Sequence, residues 1–270
     1  MNLYISDLDG TLLDSTAKLS NYTKSTLKNL MKNGLNFSIA TARTPATVVP
    51  ILSDIDINLP VVVMNGAAIY DIENNKYLNF NPILPNPINK ILSILSENKV
   101  SALSYTLCDN HINAYYDKIN NHVEEKFIKD REGSPHKTFI NASLPKNSNI
   151  LYFLLLNKED IVMTIYNKVK DIEDIYAIAY KDVYNEGFYN LEIYSNKSSK
   201  ANSIKEIMSI FNFDRLVSFG DNLNDIPMFE ISDECYAVKN AAKDIKDLST
   251  SIIDSNVNDG VVKYLESLSL

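Results

Sequence analysis

The chain has 270 residues, 45% of them hydrophobic and 22% charged, and its formal net charge is −8. This length suits one large domain or two modest domains with a sizeable core, and the composition is close to that of ordinary globular proteins, which argues against disorder. The acidic balance and the lack of a Lys/Arg block argue against a nucleic-acid scaffold, and any site for an anionic substrate must supply its own positive charge.

The first apolar run, at residues 3–6, predicts a buried strand that ends at the sequence DLDGT, residues 7–11. Alternate side chains of a strand point the same way, so Asp7 and Asp9 face one side while the strand geometry persists, and Gly10 is free to turn. Like charges this close repel each other unless a cation neutralises them or one group holds a proton. The pattern predicts a metal-assisted carboxylate nucleophile with an acid/base neighbour. The alternative is a strand-to-turn junction with exposed aspartates.

Alternating helices and strands follow the first strand. In order, they are a helix capped by Ser20 and ended by Gly34, a strand at 35–40 that leads to Thr41, a helix begun by Thr44 and Pro45, and a strand at 61–63. A βαβαβ pattern implies a parallel sheet with helices on both faces, and ligands bind beyond the carboxyl ends of such strands. Asp7 and Thr41 are therefore expected at one rim of the sheet.

The alternation of strands and helices ends in the middle of the chain. A hairpin at residues 65–80 and a cluster of prolines lead into a region of mixed elements. Its predicted strands lie at 102–107, 112–116, 150–156, 175–180 and 189–194, and its predicted helices at 88–95, 123–129 and 161–169. We interpret residues 83–190 as an inserted α+β domain with a largely antiparallel sheet. The α/β core is then discontinuous, residues 1–82 plus 191–270.

Polar residues cluster again where the alternating pattern resumes, at Ser199, Lys200, Asp221, Asn224 and Asp225. Ser199 is predicted to cap a helix, and the strand at 215–219 leads directly to Gly220 and Asp221. The next helix should begin near Asn224 and Asp225, so simple helix capping is the alternative to a functional role for these two residues.

Four motifs in this order resemble those of the haloacid dehalogenase (HAD) superfamily of aspartate-nucleophile phosphatases and phosphotransferases. They are DLDGT at 7–11, SIATAR at 38–43, SKA at 199–201 and GDNLND at 220–225. The sequences NGA at 65–67 and NDGVV at 258–262 resemble further signatures of its Cof-type subgroup, subfamily IIB. The resemblance implies a Rossmann-like parallel sheet core, with residues 83–190 as a C2-type cap domain that covers the active site.

The acidic motif residues have implied roles in catalysis and metal binding. Asp7 would be the nucleophile, and Asp9 would protonate the leaving oxygen and later take a proton from water. Mg²⁺ would be held by Asp7, Asp221 and the backbone carbonyl of Asp9, because hard oxygen ligands suit this ion. Asp225 would hold Lys200 or the water ligands of the metal.

The remaining motif residues would bind the substrate phosphate. They are Thr41, the amide of Ala42, Lys200 and Asn224. Lys197 lies in the same stretch and is the alternative lysine, but Lys200 fits better because a small residue and the amphipathic helix follow it. The family has glycine where this chain has Ala42 and Ala201, and alanine requires an ordinary φ and slightly more room in the phosphate loop. Arg43 is expected either to contact substrate or to form a surface salt bridge.

Our interpretation is a Mg²⁺-dependent phosphatase that hydrolyses small phosphorylated metabolites, such as sugar phosphates, through an aspartyl-phosphate intermediate. A phosphomutase or phosphotransferase would use the same groups and pass the phosphoryl group to a sugar hydroxyl. A non-catalytic phosphoryl-accepting signalling protein is a third alternative, because receiver domains also use acidic residues, Thr and Lys. Steady turnover would exclude this last alternative.

The sequence also bears on location and partners. Cys108 and Cys235 have neither metal-ligand spacing nor a paired framework, which favours free thiols in a reducing compartment. The chain begins directly with a strand instead of a signal sequence, and its longest strongly apolar run, residues 150–156, is too short to span a bilayer. We therefore expect a cytoplasmic protein, a monomer or weak homodimer, with no membrane or nucleic-acid partner.

Overall fold

The computed structural model describes residues 1–182 and 185–268, which form two compact units. Unit 1 comprises Met1–Asn79 and Ser199–Leu270, and unit 2 comprises Phe80–Ser198. The elements in chain order are β1 (Asn2–Ser6), α1 (Asn21–Lys32), β2 (Phe37–Ile39), α2 (Pro45–Leu52), β3 (Val61–Val63), β4 (Ala68–Asp71), β5 (Lys76–Phe80), α3 (Pro85–Glu97), β6 (Leu103–Cys108), β7 (His111–Tyr116), α4 (His122–Lys129), β8 (Lys137–Asn141), β9 (Ile150–Lys158), α5 (Glu159–Val169), β10 (Ile175–Lys181), β11 (Phe188–Ser195), α6 (Lys200–Phe211), β12 (Arg215–Gly220), α7 (Ile226–Glu230), β13 (Glu234–Val238), α8 (Lys243–Leu248), β14 (Ser251–Ile253) and α9 (Gly260–Ser267).

Unit 1 is built on a parallel sheet with the strand order β14-β13-β12-β1-β2. Its central strands are apolar runs buried on both faces, as expected for a sheet covered by helices. The strands β3, β4 and β5 form a further sheet. A parallel bridge joins Val62 of β3 to Ala40, the residue that follows β2. The predicted α/β core with a parallel sheet is confirmed, and the carboxyl ends of β1, β2 and β12 lie at the same edge.

The helix starts in unit 1 follow the predicted capping residues. Ser20 caps α1 by accepting a hydrogen bond from the amide of Thr23, and Ser199 caps α6 in the same way from the amide of Asn202. Thr44 precedes α2, which begins at Pro45. The side chains of Ser20 and Ser199 satisfy amides that have no partner inside the first helical turn, so the local sequence suffices to fix where α1 and α6 begin.

Unit 2 is an α+β unit whose sheet has the strand order β10-β11-β9-β6-β7-β8. The strand pairs are antiparallel except β7 with β8, which are parallel. Residues from α3 and α5 share a buried apolar cluster with residues of β9 and β11, and they include Ile91, Leu95, Phe153, Val162, Ile165 and Leu191. Strand β8 was not predicted, because only its first residue is buried and its sequence has no clear apolar alternation.

The unit boundaries differ from those predicted at residues 83 and 190. A boundary at residue 190 would divide β11, which is hydrogen-bonded to both β9 and β10 from Phe188 to Ser195. Unit 2 therefore continues to Ser198. Across the described ranges, none of the helices is both long and apolar enough to cross a membrane.

Candidate active site

The polar residues predicted from the motifs lie in unit 1, next to the carboxyl ends of its parallel strands. Asp7 follows β1, Thr41 follows β2, and Asp221 follows β12. Lys200 is the first residue of α6, directly after the cap residue Ser199. The strand and helix ends therefore bring together groups from distant parts of the sequence.

Lys200 is the centre of this arrangement. Its side-chain ammonium donates hydrogen bonds of 2.6 Å to Oδ1 of Asp7 and of 2.6 Å to Oδ1 of Asp225. Lys200 is only 2% exposed, Asp7 4% and Asp225 0%. Burial by itself lowers the pKa of Lys200, but the two carboxylates outweigh this effect and raise it above its ordinary value. Lys200 is therefore a fixed positive charge beside Asp7.

An acidic cluster surrounds Lys200. Carboxylate oxygens of Asp7, Asp221 and Asp225 lie within 4.8 Å of one another. Burial raises the pKa of Asp7 well above its usual range, although the charge of Lys200 opposes this shift. Burial and the neighbouring Asp225 raise the pKa of Asp221 to about 6, whereas a 3.0 Å hydrogen bond from Thr11 Oγ1 to its Oδ1 acts in the opposite direction.

The charges in this cluster do not balance. When the three carboxylates are ionised, Lys200 compensates one of them and leaves two negative charges in a mostly buried space. A divalent cation with oxygen ligands would neutralise this excess, and carboxylates are the ligands that Mg²⁺ prefers. The donor set in the described residues therefore fits Mg²⁺.

Asp225 combines a capping role with its contact to Lys200. Its Oδ2 accepts hydrogen bonds from the amides of Asp221 at 2.9 Å and of Asn222 at 3.1 Å, at the start of the 3₁₀ turn Leu223–Asp225. Its Oδ1 is the atom that binds Lys200. Helix capping and the predicted contact with the lysine are thus compatible, because each uses a different oxygen of the same carboxylate.

The carboxylate of Asp9 lies outside the acidic cluster found among the described residues. It forms a two-pronged ion pair with Arg43, from Nε to Oδ2 at 2.7 Å and from Nη2 to Oδ1 at 2.6 Å. The predicted metal ligand from Asp9 was its backbone carbonyl, so this side-chain position is compatible with that prediction. Arg43 thus forms a salt bridge, and its partner is the predicted acid/base residue itself.

Thr41, Ala42 and Asn224 are arranged around a neighbouring loop. Thr41 is buried; its Oγ1 accepts a 3.2 Å hydrogen bond from the amide of Arg43, and its carbonyl accepts one from the amide of Asn65. Ala42 is exposed. The side-chain amide of Asn224 donates to Oδ1 of Asn65 at 3.3 Å. The predicted phosphate-binding roles of these residues stay predictions.

Two glycines allow the close approach of the site loops. Gly10 has a φ of 74°, and a Cβ there would overlap the carboxylate of Asp221. Gly66 has a φ of 89°, and a Cβ there would overlap the backbone carbonyl of Ser199, directly before Lys200. Glycine is needed at both positions because of the left-handed backbone and the lack of space.

Sequence reasoning assigned no site role to Thr11 or Asn65. Thr11 binds Asp221, and Asn65 joins Thr41 to Asn224 through hydrogen bonds. Thr11 lies in the motif DLDGT and Asn65 in the motif NGA, so their place within a recognised motif was the sequence signal that could have identified them. Their partners could not be predicted, because they lie 210 and 159 residues away along the chain.

Comparisons with known proteins identify the family of this chain. The sequence profile of the haloacid dehalogenase-like hydrolases matches residues 4–265. A protein of Buchnera aphidicola from Acyrthosiphon pisum, provisionally named a phosphatase, is 28% identical over 97% of this chain and 94% of its own length. The 5-amino-6-(5-phospho-D-ribitylamino)uracil phosphatase YitU of Bacillus subtilis is 24% identical over 96% of this chain and 94% of its own length.

A solved structure has the same fold. The haloacid dehalogenase-like hydrolase from B. subtilis superposes with a TM-score of 0.79 at 22% identity, covering 99% of this chain and 100% of the other. The profile match covers nearly the whole chain, and it agrees with the acidic cluster at the strand ends. The chain belongs to the haloacid dehalogenase-like hydrolases.

Proposed function

We propose that this protein is a Mg²⁺-dependent phosphatase of small phosphorylated metabolites, sugar phosphates foremost, and that it acts through an aspartyl-phosphate on Asp7. The observation that carries the proposal is the buried Lys200, which is bonded to Asp7 on one side and to Asp225 on the other. Lys200 places a positive charge beside the proposed nucleophile. Together with a divalent cation bound by the acidic cluster, it would let this acidic protein bind an anionic substrate. The phosphatase names of the relatives agree with this proposal.

The reaction has two steps that use the same residues. Oδ of Asp7 attacks phosphorus, the bond to the leaving oxygen breaks, and Asp9 gives that oxygen its proton. Water then attacks the phosphorus of the aspartyl-phosphate and gives a proton to Asp9, and the bond from phosphorus to Asp7 breaks. Phosphate leaves, and both aspartates return to their starting forms.

Mg²⁺ would be held by the carboxylates of Asp7 and Asp221 and by the backbone carbonyl of Asp9. When bound, it would polarise the phosphoryl oxygens and lower the pKa values of the cluster carboxylates, so that Asp7 stays ionised. Asp225 keeps Lys200 in place, since its Oδ1 bonds the ammonium and its Oδ2 is fixed by two backbone amides. Lys200 in turn neutralises charge on the phosphoryl group in the transition state.

The remaining predicted residues would complete the phosphate site. Thr41, the amide of Ala42 and the side chain of Asn224 would donate hydrogen bonds to the phosphoryl oxygens. Support for this role comes from Asn65, which links the loop of Thr41 to Asn224 in unit 1. Ala42 is an exposed residue of the same loop.

The test is phosphate release from a panel of sugar phosphates, nucleotides, pyridoxal phosphate and 5-amino-6-(5-phospho-D-ribitylamino)uracil, with Mg²⁺ or with EDTA. The comparison is between the native chain, Asp7→Asn and the exposed control Asp247→Asn. We expect Mg²⁺-dependent turnover that falls by at least about 10³-fold in Asp7→Asn and is unchanged in the control. Rapid acid quenching followed by mass spectrometry should find phosphate on the peptide that contains Asp7.

Other outcomes would select the alternatives. Turnover that persists in Asp7→Asn or in EDTA would contradict the proposed mechanism. Phosphate that passes to an added sugar instead of water would identify a phosphomutase or phosphotransferase. A stable phosphorylated Asp7 without turnover would identify a signalling protein.

A further inference from the structure

The ion pair between Arg43 and Asp9 uses both oxygens of the carboxylate. Nε and Nη2 of Arg43 donate to the two oxygens at 2.7 and 2.6 Å. The Asp9 side chain is 51% exposed and that of Arg43 23% exposed. Within residues 1–182 and 185–268, the hydrogen bonds of the Asp9 carboxylate all come from Arg43. This arginine therefore determines the orientation of an otherwise half-exposed carboxylate.

The backbone of Arg43 is fixed on both sides. Its amide donates to Oγ1 of the buried Thr41 at 3.2 Å, and its carbonyl accepts a 3.0 Å hydrogen bond from the amide of Met64. Thr44, the next residue, is the N-terminal cap position of α2. The guanidinium thus extends from an anchored loop, so it can hold the plane of the Asp9 carboxylate in one place.

A general acid must lie at a hydrogen-bond distance and angle to the leaving oxygen, and a misplacement of about 1 Å can cost about 10²-fold in rate. A half-exposed aspartate can rotate about two side-chain bonds. The arginine fork occupies a lone pair on each oxygen of Asp9, and a carboxylate has about four such sites, so sites for proton transfer remain. Orientation by Arg43 is therefore compatible with acid/base chemistry at Asp9.

We propose that Arg43 is the positioning residue for Asp9: it holds the carboxylate in the orientation required for proton transfer to the leaving oxygen. This inference rests on the proposed phosphatase function. The rival role is direct binding of substrate by Arg43. The two roles differ in how they depend on the leaving group, because a poor leaving group needs a proton from Asp9 and a good one does not.

The test compares p-nitrophenyl phosphate, which leaves as a stable phenolate, with the best sugar phosphate of the panel, which leaves as an alkoxide. Both kcat and KM are measured for the native chain, Arg43→Gln, Arg43→Lys, Asp9→Asn and the double variant Asp9→Asn with Arg43→Gln. Arg215→Gln is the matched control, because Arg215 forms an ion pair with the partly exposed Glu234 instead. Circular dichroism and the thermal midpoint verify that each variant is folded.

We expect Arg43→Gln to lower kcat for the sugar phosphate by about 10- to 100-fold and for p-nitrophenyl phosphate by less than about 3-fold. Arg43→Lys should recover little of the loss, because an ammonium keeps the charge but lacks the planar fork. The double variant should be no slower than Asp9→Asn, since both changes remove the same proton transfer. Arg215→Gln should match the native chain with both substrates.

Three results would overturn the inference and leave the phosphatase function standing. They are an equal loss of kcat for both substrates, a raised KM with unchanged kcat, and full activity of Arg43→Lys. If the native chain hydrolysed neither compound nor any other in the panel, the proposed function would fail and the inference with it.

Discussion

Asp221 is the residue whose protonation most directly tests the charge excess in the candidate active site. Its pKa rises from an ordinary 3.8 to about 6, first because it is buried and then because Asp225 lies beside it. The Asp221→Asn variant removes the charge with almost no change in shape. The amide oxygen can still accept the hydrogen bond from Thr11. The variant therefore isolates the electrostatic effect.

The sign follows from which state binds the proton more tightly. The folded protein holds the proton of Asp221 up to a pH of about 6, whereas the unfolded chain releases it near 3.8. In metal-free protein, this carboxyl group therefore lowers the free energy of unfolding as the pH rises from about 4 to 6. The shift of about two pKa units corresponds to about 2–3 kcal/mol after allowance for partial exposure.

The assay is thermal unfolding followed by circular dichroism, in EDTA, from pH 4 to pH 7.5. At pH 7.5, we expect the midpoint of Asp221→Asn to exceed that of the native chain by roughly 5–10 °C. The difference should shrink towards zero as the pH falls to about 4. Mg²⁺ at pH 7.5 should raise the midpoint of the native chain more than that of Asp221→Asn, because the variant lacks one of the proposed ligands.

The control is Asp247→Asn, since Asp247 is exposed on α8. Its midpoint should follow that of the native chain at every pH. If Asp221→Asn were less stable than the native chain in EDTA at pH 7.5, or if its advantage did not depend on pH, the argument for an uncompensated charge would be refuted. A Mg²⁺ effect of equal size in both proteins would contradict the role of Asp221 as a ligand.

Two further changes test how the site is held together. Lys200→Met should lower the free energy of unfolding of the metal-free protein at neutral pH by about 3–5 kcal/mol, because it leaves buried carboxylates without their cation. Lys205→Met, on the exposed face of α6, is the control and should change this free energy little. Equal losses of stability in the two variants, measured by urea unfolding, would contradict the argument. Gly66→Ala should lower the free energy of unfolding by roughly 2–4 kcal/mol and reduce kcat, because its Cβ would overlap the carbonyl of Ser199. Gly34 has a similar φ of 99° but open space around it, so Gly34→Ala should lower the free energy of unfolding by about 1–2 kcal/mol and keep kcat. Equal effects of the two alanine substitutions on kcat would show that the close approach is unimportant.

Much of the fold could be predicted because its signals are local. Apolar runs identified β1, β3 and β12, and the serines and threonine before α1, α2 and α6 marked the helix starts. Strands β8 and β14 were missed, since β8 is mostly unburied and β14 is a short, largely exposed strand at the sheet edge. Such strands exist because a neighbouring strand offers hydrogen bonds, and no local pattern reports that neighbour.

The sequence by itself determined that aspartates follow β1 and β12 and that a lysine begins α6, because strand ends and helix caps depend on residues close in the chain. Only the tertiary structure decided the partners. Lys200 bonds Asp7, which lies 193 residues away, and Asp9 pairs with Arg43 instead of joining the acidic cluster. Which side chains pair with each other depends on the distances between strand ends and loops. These distances are set by sheet register and by the close approach of loops at glycines such as Gly66. Periodicity along a chain carries no information about such distances.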